Sequence, residues 1–237
     1  MEYIENVSFE ELIQRISKKF KIGFEEVKIG DIVISLAQIE NLDAYIEKLA
    51  DSTKEGDKLD LPFWAKLWPS SLLLSYALLK LPVQEDAELL EIGAGIGLCG
   101  LVAAKRGFNV IISDIDEDAL IISKLNILKN GLEERANVKK IDFTKHTLDK
   151  RFSYIIGSEV LYRRQHYRPL IKFFLRHLKD NSSKVILAKD YHIKAKKFFK
   201  LAEEHFNIQQ RYIGYKEIEG DSGEKHLCSI ITLTKKS

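Results

Sequence analysis

The stretch Glu91-Ile92-Gly93-Ala94-Gly95-Ile96-Gly97-Leu98-Cys99-Gly100 sets a carboxylate just ahead of a run of glycines. Glycine lets the backbone turn tightly and lets a ligand lie against the chain at the amino end of a following helix. Asp114, in Ser113-Asp114-Ile115-Asp116, lies about 20 residues beyond that turn, the distance at which an acid meets the ribose hydroxyls of a bound nucleoside. Asp116 has the residue type of a helix cap. Asp142-Phe143 sets an acceptor for an adenine amino group beside a ring able to cover the base, although a surface Asp next to a core Phe fits the pair equally well. Ser158-Glu159-Val160-Leu161-Tyr162 adds a fourth acid and a phenol.

The glycine run by itself is ambiguous. Gly95, Gly97 and Gly100 fit the dinucleotide pattern, and a turn with no ligand would use the same residues. Charge separates the readings. A pyrophosphate favours positive or neutral surroundings, yet Glu91, Asp114, Asp142 and Glu159 each follow or end an apolar run and would converge on one crevice. At ~4 Å and an effective dielectric of ~20, each misplaced like-charge pair costs about 4 kcal/mol. Four carboxylates suit a cationic ligand with a ribose, and S-adenosylmethionine has an amino group and a sulfonium but no phosphate.

The elements that must position these residues follow from the apolar pattern. From Pro62 onward, strands are expected at Leu89–Ile92, Val110–Ser113, Val138–Ile141, Tyr154–Ile156 and Val185–Ala188. Helices are expected at Ser70–Leu81, Leu98–Lys105, Glu117–Lys129, Tyr167–Leu178 and Ala195–His205. Continuous apolar strands alternating with helices form a mostly parallel, doubly wound sheet whose ligands bind at the carboxyl ends of the strands. Two closing strands, Ile208–Tyr215 and Leu227–Thr234, flank Glu219-Gly220-Asp221-Ser222-Gly223, a hairpin loop that makes the last pair antiparallel and the sheet seven-stranded. Ahead of this domain (62–237), residues 1–61 form an extension. Ser8 and Glu11 have capping-box spacing before a helix, Val27–Ile29 and Ile32–Leu36 read as a short hairpin, and Asn41 or Asp43 caps a helix through Leu49. The charged residues 51–60 read as a flexible stretch.

Composition narrows the setting. A chain of 237 residues is about 1.6 times a typical domain, and folding should bury roughly 70% of its surface. Net charge is +2, from 37 Lys and Arg against 35 Asp and Glu, too balanced for a dedicated nucleic-acid binder. Cys99 and Cys228 lie in apolar runs without a CxxC pair, so neither a metal site nor a disulfide framework is expected. No apolar run reaches the roughly 20 residues of a membrane span, and the acidic start is unlike a signal peptide. The expectation is a reducing, cytoplasmic setting.

The run from Glu91 to Asp114 resembles the first two motifs of the class I, seven-β-strand S-adenosylmethionine-dependent methyltransferases. Phe63-Trp64-Ala65-Lys66-Leu67-Trp68-Pro69-Ser70 is similar to the tryptophan-containing entry segment of their protein lysine methyltransferase branch, and Ser158-Glu159-Val160-Leu161-Tyr162 resembles that branch's Asp-x-x-Tyr motif. The likeness spans 62–237 and leaves 1–61 outside. It implies a cofactor set of Trp68, Glu91, Gly93, Ala94, Gly95, Gly97, Asp114, Ile115, Asp142, Phe143 and Ser158, with Glu159 and Tyr162 at the methyl acceptor. The chain departs from the pattern in Glu159, one methylene longer than the usual Asp, and in Phe143, where a Trp is usual. A related histidine-methylating branch also places Ser-Glu ahead of its Tyr. The implied reaction moves a methyl group to a protein side-chain nitrogen, lysine first, by direct displacement.

Other readings stay beside this one. Trp64, Trp68 and Tyr162 fit packed core or sheet-end positions, and His166 and His192 fit half-exposed surface positions. Methylation of a nucleic acid or a small metabolite is the second enzyme reading; the nucleic-acid acceptor is disfavoured because the sequence after the fourth strand lacks the Asn/Asp-Pro-Pro-Tyr of amino-methylating DNA and RNA enzymes and because net charge is small. A non-catalytic binding module that has kept the nucleotide crevice is disfavoured by the intact acids and glycines.

Overall fold

A computed structural model of the chain describes residues 4, 7–52, 61–84, 87–216 and 225–236. The expected flexible stretch beyond Ser52 and the 219–223 loop lie outside these residues. The amino-terminal part comprises α1 (Phe9–Ile16), β1 (Ile22–Ile29), β2 (Ile32–Ile39) and α2 (Leu42–Ser52). A 3-10 turn (Phe63–Ala65) leads to α3 (Pro69–Leu78). The main sheet and its helices then follow as β3 (Glu88–Ile92), α4 (Leu98–Lys105), β4 (Asn109–Asp114), α5 (Glu117–Lys129), β5 (Ala136–Lys140) and β6 (Tyr154–Ser158). After a second 3-10 turn (Arg164–His166) come α6 (Tyr167–His177), β7 (Lys184–Asp190), α7 (Lys196–Ala202), β8 (Phe206–Lys216) and β9 (Lys225–Lys235).

The seven strands lie in the order β5-β4-β3-β6-β7-β9-β8. β3 to β7 are parallel, and β9 pairs antiparallel with both β7 and β8. The expected fold class holds. Successive residues of a strand feed opposite faces of the sheet. Ile156, Ile186 and Ala188 join a core with α3, α4 and α5, while Ile155, Val185 and Leu187 join a second core with α6 and α7. Because β3, β6 and β7 are covered on both faces, they read as unbroken apolar runs.

Helices α4 and α5 match their expected bounds because each has a defined start: Gly97 at φ 83 before α4, and Asp116 before α5, accepting from the Asp118 and Ala119 amides at 2.8 and 3.2 Å. The Ser8–Glu11 capping box is present. Helix α3 is shorter than expected at its end, where the Arg106 guanidinium donates to the carbonyls of Leu78 and Leu81. Helix α7 is also short. It starts after Ala195 in a left-handed conformation (φ 45) and stops ahead of β8, which already begins at Phe206.

The amino-terminal hairpin is longer than its apolar pattern predicted, with Ile22 paired to Ile39. Glu25 and Glu26 interrupt the pattern, but they face solvent, so strand pairing continues through them. Its inward residues Ile29, Ile34, Leu36 and Ile39 share one apolar cluster with Leu74, Leu98 and Leu120. Asn126 of α5 and Asn130, which caps that helix, do for β2 what a third strand would. Asn130 accepts from the Ser35 amide at 2.9 Å and donates to its carbonyl at 2.8 Å. Asn126, fully buried, accepts from the Ala37 amide at 2.6 Å and donates to the Ile96 carbonyl in the glycine turn at 2.9 Å. Among the described residues no helix is long and apolar enough to cross a membrane.

Candidate active site

The carboxyl ends of β3, β4 and β6 meet at the glycine turn. Gly93, Gly95 and Gly97 have φ of 58, 56 and 83, a region that side chains disfavour. Gly93 is exposed and Ala94 half-exposed, whereas Gly95 and Gly97 are buried. At Gly95 a Cβ would lie 2.5 Å from the Trp64 carbonyl oxygen, so the segment ahead of α3 rests directly on the turn. Trp64 packs edge-on against Phe20, and Phe20 against Tyr45, so the amino-terminal extension walls this side.

Asp114 locks the turn from the next strand. Its Oδ2 accepts from the Gly95 amide at 2.9 Å, and its Oδ1 accepts from the amides of Ile115 and Asp116 at 2.7 and 3.0 Å. A carboxylate offers about four lone-pair sites, so Oδ2 keeps one for a ligand. Ser123 of α5 donates to the Gly95 carbonyl at 2.8 Å and completes the support. Ile115, the next residue, is 58% exposed, an apolar side chain held at the rim.

Glu91 behaves differently from the sequence expectation of a crevice-lining anion. It is 2% exposed and supports the turn from below, accepting from the Gly100 amide at 2.7 Å. Burial pushes its carboxyl up to about 8, so it is largely neutral at pH 7. The folded protein therefore retains a proton that an unfolded glutamate releases above roughly pH 4.5, and this group's contribution to stability falls between roughly pH 4.5 and 8. Relative to wild type, Glu91→Gln is expected to gain on the order of 3 kcal/mol between about pH 5 and pH 9. Urea unfolding at the two pH values checks this; an equal difference at both would mean that Glu91 is already ionised in the fold.

The end of β6 carries the other carboxylate. Glu159 sits at φ 55, an uncommon conformation for a residue with a side chain, fixed by its amide donating to the Ala188 carbonyl at 2.9 Å. Its Oε1 accepts from the Asp190 amide at 2.7 Å, and the Ser70 hydroxyl nearby favours its charged form. Burial holds the Glu159 carboxyl above its ordinary value. Ser70 and Ser158 hydroxyls lie 2.8 Å apart, tying the start of α3 to the end of β6. Pattern reasoning did not single out Ser70 or Lys189. Lys189 is 2% exposed, donates to the Asp190 carbonyl at 3.2 Å, and is drawn below the usual lysine range by burial while the Glu159 charge opposes that shift. A Lys-Asp pair closing an apolar strand was the available signal.

The remaining expected residues are placed as follows. Trp68 is half-buried, caps α3 and donates its indole N–H to the Phe63 carbonyl at 3.0 Å. Asp142 serves its own loop: Oδ1 accepts from the Thr144 amide at 2.9 Å, and Oδ2 pairs with Lys145 at 3.2 Å. Phe143 is half-buried and meets the His166 ring edge-on at 5.9 Å. Tyr162 is 61% exposed; the packed tyrosine of this region is Tyr167, whose hydroxyl donates to the Leu161 carbonyl at 3.0 Å. Among the described residues no group of three His, Cys, Asp or Glu side chains could hold a metal ion.

A family model described as lysine methyltransferase matches residues 57–205, more than half the chain. The chain belongs to that family. It is an S-adenosylmethionine-dependent methyltransferase. This methyltransferase is 28% identical over 154 residues to protein N-lysine methyltransferase METTL21A of Xenopus tropicalis, covering 62% of this chain and 71% of that protein. It is also 28% identical over 133 residues to the histidine protein methyltransferase 1 homolog of Dictyostelium discoideum, covering 54% of this chain and 43% of that one. In fold it is similar to the tRNA (uracil-54, C5)-methyltransferase of Pyrococcus abyssi, solved with S-adenosyl-L-homocysteine. The TM-score is 0.56 at 16% identity, over 89% of this chain and 44% of that one. The last two proteins extend well beyond the part they share with this methyltransferase.

Proposed function

We propose that this enzyme methylates a side-chain nitrogen of a protein, lysine first, and that the observation carrying the reading is Glu159. A half-buried carboxylate is anchored by the Asp190 amide, on a strained backbone fixed by the Ala188 carbonyl, at the strand end where the glycine turn also opens. An acidic group fixed there suits an acceptor whose nitrogen arrives with hydrogens to donate.

The residues present fit S-adenosylmethionine. The spare lone pair of Asp114 takes a ribose hydroxyl. The exposed backbone of Gly93 and Ala94 lines the amino-acid end, with Gly95 and Gly97 keeping the turn's shape and Glu91 buttressing it. Ile115 and Phe143 flank the adenine, with Asp142 at its amino group through whatever acceptor capacity its own loop leaves free. Trp68 and Ser158 close the side nearest the acceptor. When bound, the cofactor supplies an electrophilic methyl carbon on a sulfonium.

The chain's own task is alignment and proton control. A free lysine of pKa about 10.4 needs roughly 4.6 kcal/mol to become neutral at pH 7. Entry between Trp68 and Tyr162 desolvates the ammonium, and the buried Lys189 and the exposed Arg163 disfavour its charge further. Glu159 then accepts the hydrogens that remain and aims the lone pair, so that no histidine base is needed. The two buried, unpaired thiols, Cys99 and Cys228, go with a reducing, cytoplasmic setting.

Tritium transfer from labelled cofactor into cell extract tests the reading. The expected label is destroyed by protease, survives nuclease and appears as methyl-lysine after acid hydrolysis. Label as methyl-histidine would move the acceptor to the other branch, and label in nucleic acid or small molecules would overturn the protein reading.

A further inference from the structure

The acceptor face carries a repeated arrangement. Three of the four cation–ring pairs among the described residues lie on segments that adjoin Glu159 or are bonded to it or to its neighbour Ser158: Lys66 over Trp68 at 5.1 Å, Arg163 over Tyr162 at 5.5 Å and Lys194 over Tyr191 at 4.4 Å. Trp68 lies two residues before Ser70, whose hydroxyl bonds to that of Ser158, next to Glu159. Tyr162 follows Glu159 by three, and Tyr191 follows Asp190, whose amide holds the Glu159 carboxylate. Lys66, Arg163 and Lys194 are exposed and have no carboxylate within ion-pairing distance among the described residues. Arg164, His192, Lys196 and Lys197 are exposed nearby in the chain; of the two acids there, Glu159 is half-buried and Asp190 caps the His192 amide.

Residues 159–200 hold 12 Lys or Arg against 3 Asp or Glu, while the rest of the chain holds 25 against 32. Part of that excess, including Lys179 and Lys184, belongs to the opposite edge of the sheet, but Arg163, Arg164, Lys194, Lys196 and Lys197 all lie in the segments that follow β6 and β7, against Glu159 and Asp190. A lysine approaching through this ring of cations is repelled unless its own neighbours are anionic, and the same cations favour the neutral amine once it is seated.

We propose that the rim formed by Lys66, Arg163 and Lys194 docks an acidic protein segment, in which Asp and Glu flank the side chain to be methylated. This deepens the protein-nitrogen reading and rests on it. RNA would feel the same charge, but each of these rings already carries a cation over its face, where a base would otherwise stack.

The test uses the full chain loaded with S-adenosylhomocysteine and fluorescence anisotropy. The probes are short lysine-centred peptides flanked by Asp and Glu or by Ser and Gln, and a single-stranded RNA of equal length. The acidic peptide is expected to bind about tenfold tighter than the neutral one near 0.1 M salt, with the advantage fading near 1 M. The double variant R163E/K194E is expected to abolish that preference while cofactor affinity, read by calorimetry, is unchanged. Equal binding of both peptides, a preference surviving the double variant, or RNA binding tighter than the acidic peptide overturns the proposal. Failure of the underlying reading shows separately, as the absence of protease-sensitive label in extract.

Discussion

Asp114→Ala is expected to lower affinity for S-adenosylmethionine by at least about a hundredfold, the larger of the two principal effects. Two losses combine. A charge-assisted hydrogen bond to a ribose hydroxyl is worth about 1.5–3 kcal/mol. The same carboxylate also holds the amides of Gly95, Ile115 and Asp116, so its removal unfastens the turn proposed to carry the cofactor. Asp114→Asn retains an acceptor for some of these amides and is expected to fall between wild type and Ala. Calorimetric titration with the cofactor, alongside thermal melting without it, separates the losses. Affinity unchanged in Asp114→Ala would remove the ribose assignment.

Glu159→Ala is expected to leave cofactor affinity within about twofold and to reduce turnover by about a hundredfold, the scale on which a misplaced nucleophile or mishandled proton acts. The carboxylate accepts from the Asp190 amide and is proposed to face the acceptor, so its loss should misaim the nitrogen without disturbing the glycine turn. Because burial holds Glu159 above the ordinary carboxylate range, turnover at saturating cofactor should rise with pH as this group ionises and then rise again as the acceptor amine loses its proton. Glu159→Gln should lose the lower limb and keep the upper one. A parallel loss of affinity and turnover in Glu159→Ala would instead place the residue in the cofactor site.

The mostly parallel sheet with its antiparallel closing pair and the helices α4 and α5 were legible because long apolar runs and unambiguous caps mark them. The state of the acids was not. A sequence shows four carboxylates, but solvent access decides which of them is an anion, and Glu91 is buried and largely neutral while Asp142 is spent on Thr144 and Lys145. Ser123, Asn126 and Asn130 lie along one face of α5, and each supports the turn or the hairpin. Polar residues spaced three and four apart in an apolar helix look like a solvated stripe until a partner is known to cover them. Ser70 was hidden for a similar reason, since its significance comes from its bond to Ser158, 88 residues away; Lys189 was hidden because only the fold shows that its side chain is buried. Tyr162 and Tyr167 differ by five positions in one segment, and only the packing of α6 shows that the second is the buried one.

One amide group joins two distant parts of the molecule. Asn126 reaches 89 residues back to Ala37 in the hairpin and 30 residues back to Ile96 in the glycine turn, the proposed cofactor floor. The hairpin lies ahead of the family-matched stretch, yet it is wired to that floor by a single side chain. Stiffening of the floor on cofactor loading should thus be felt as slower deuterium uptake at the Ala37 amide. A tether or antibody gripping the outer strand would, in turn, act as a remote brake on loading.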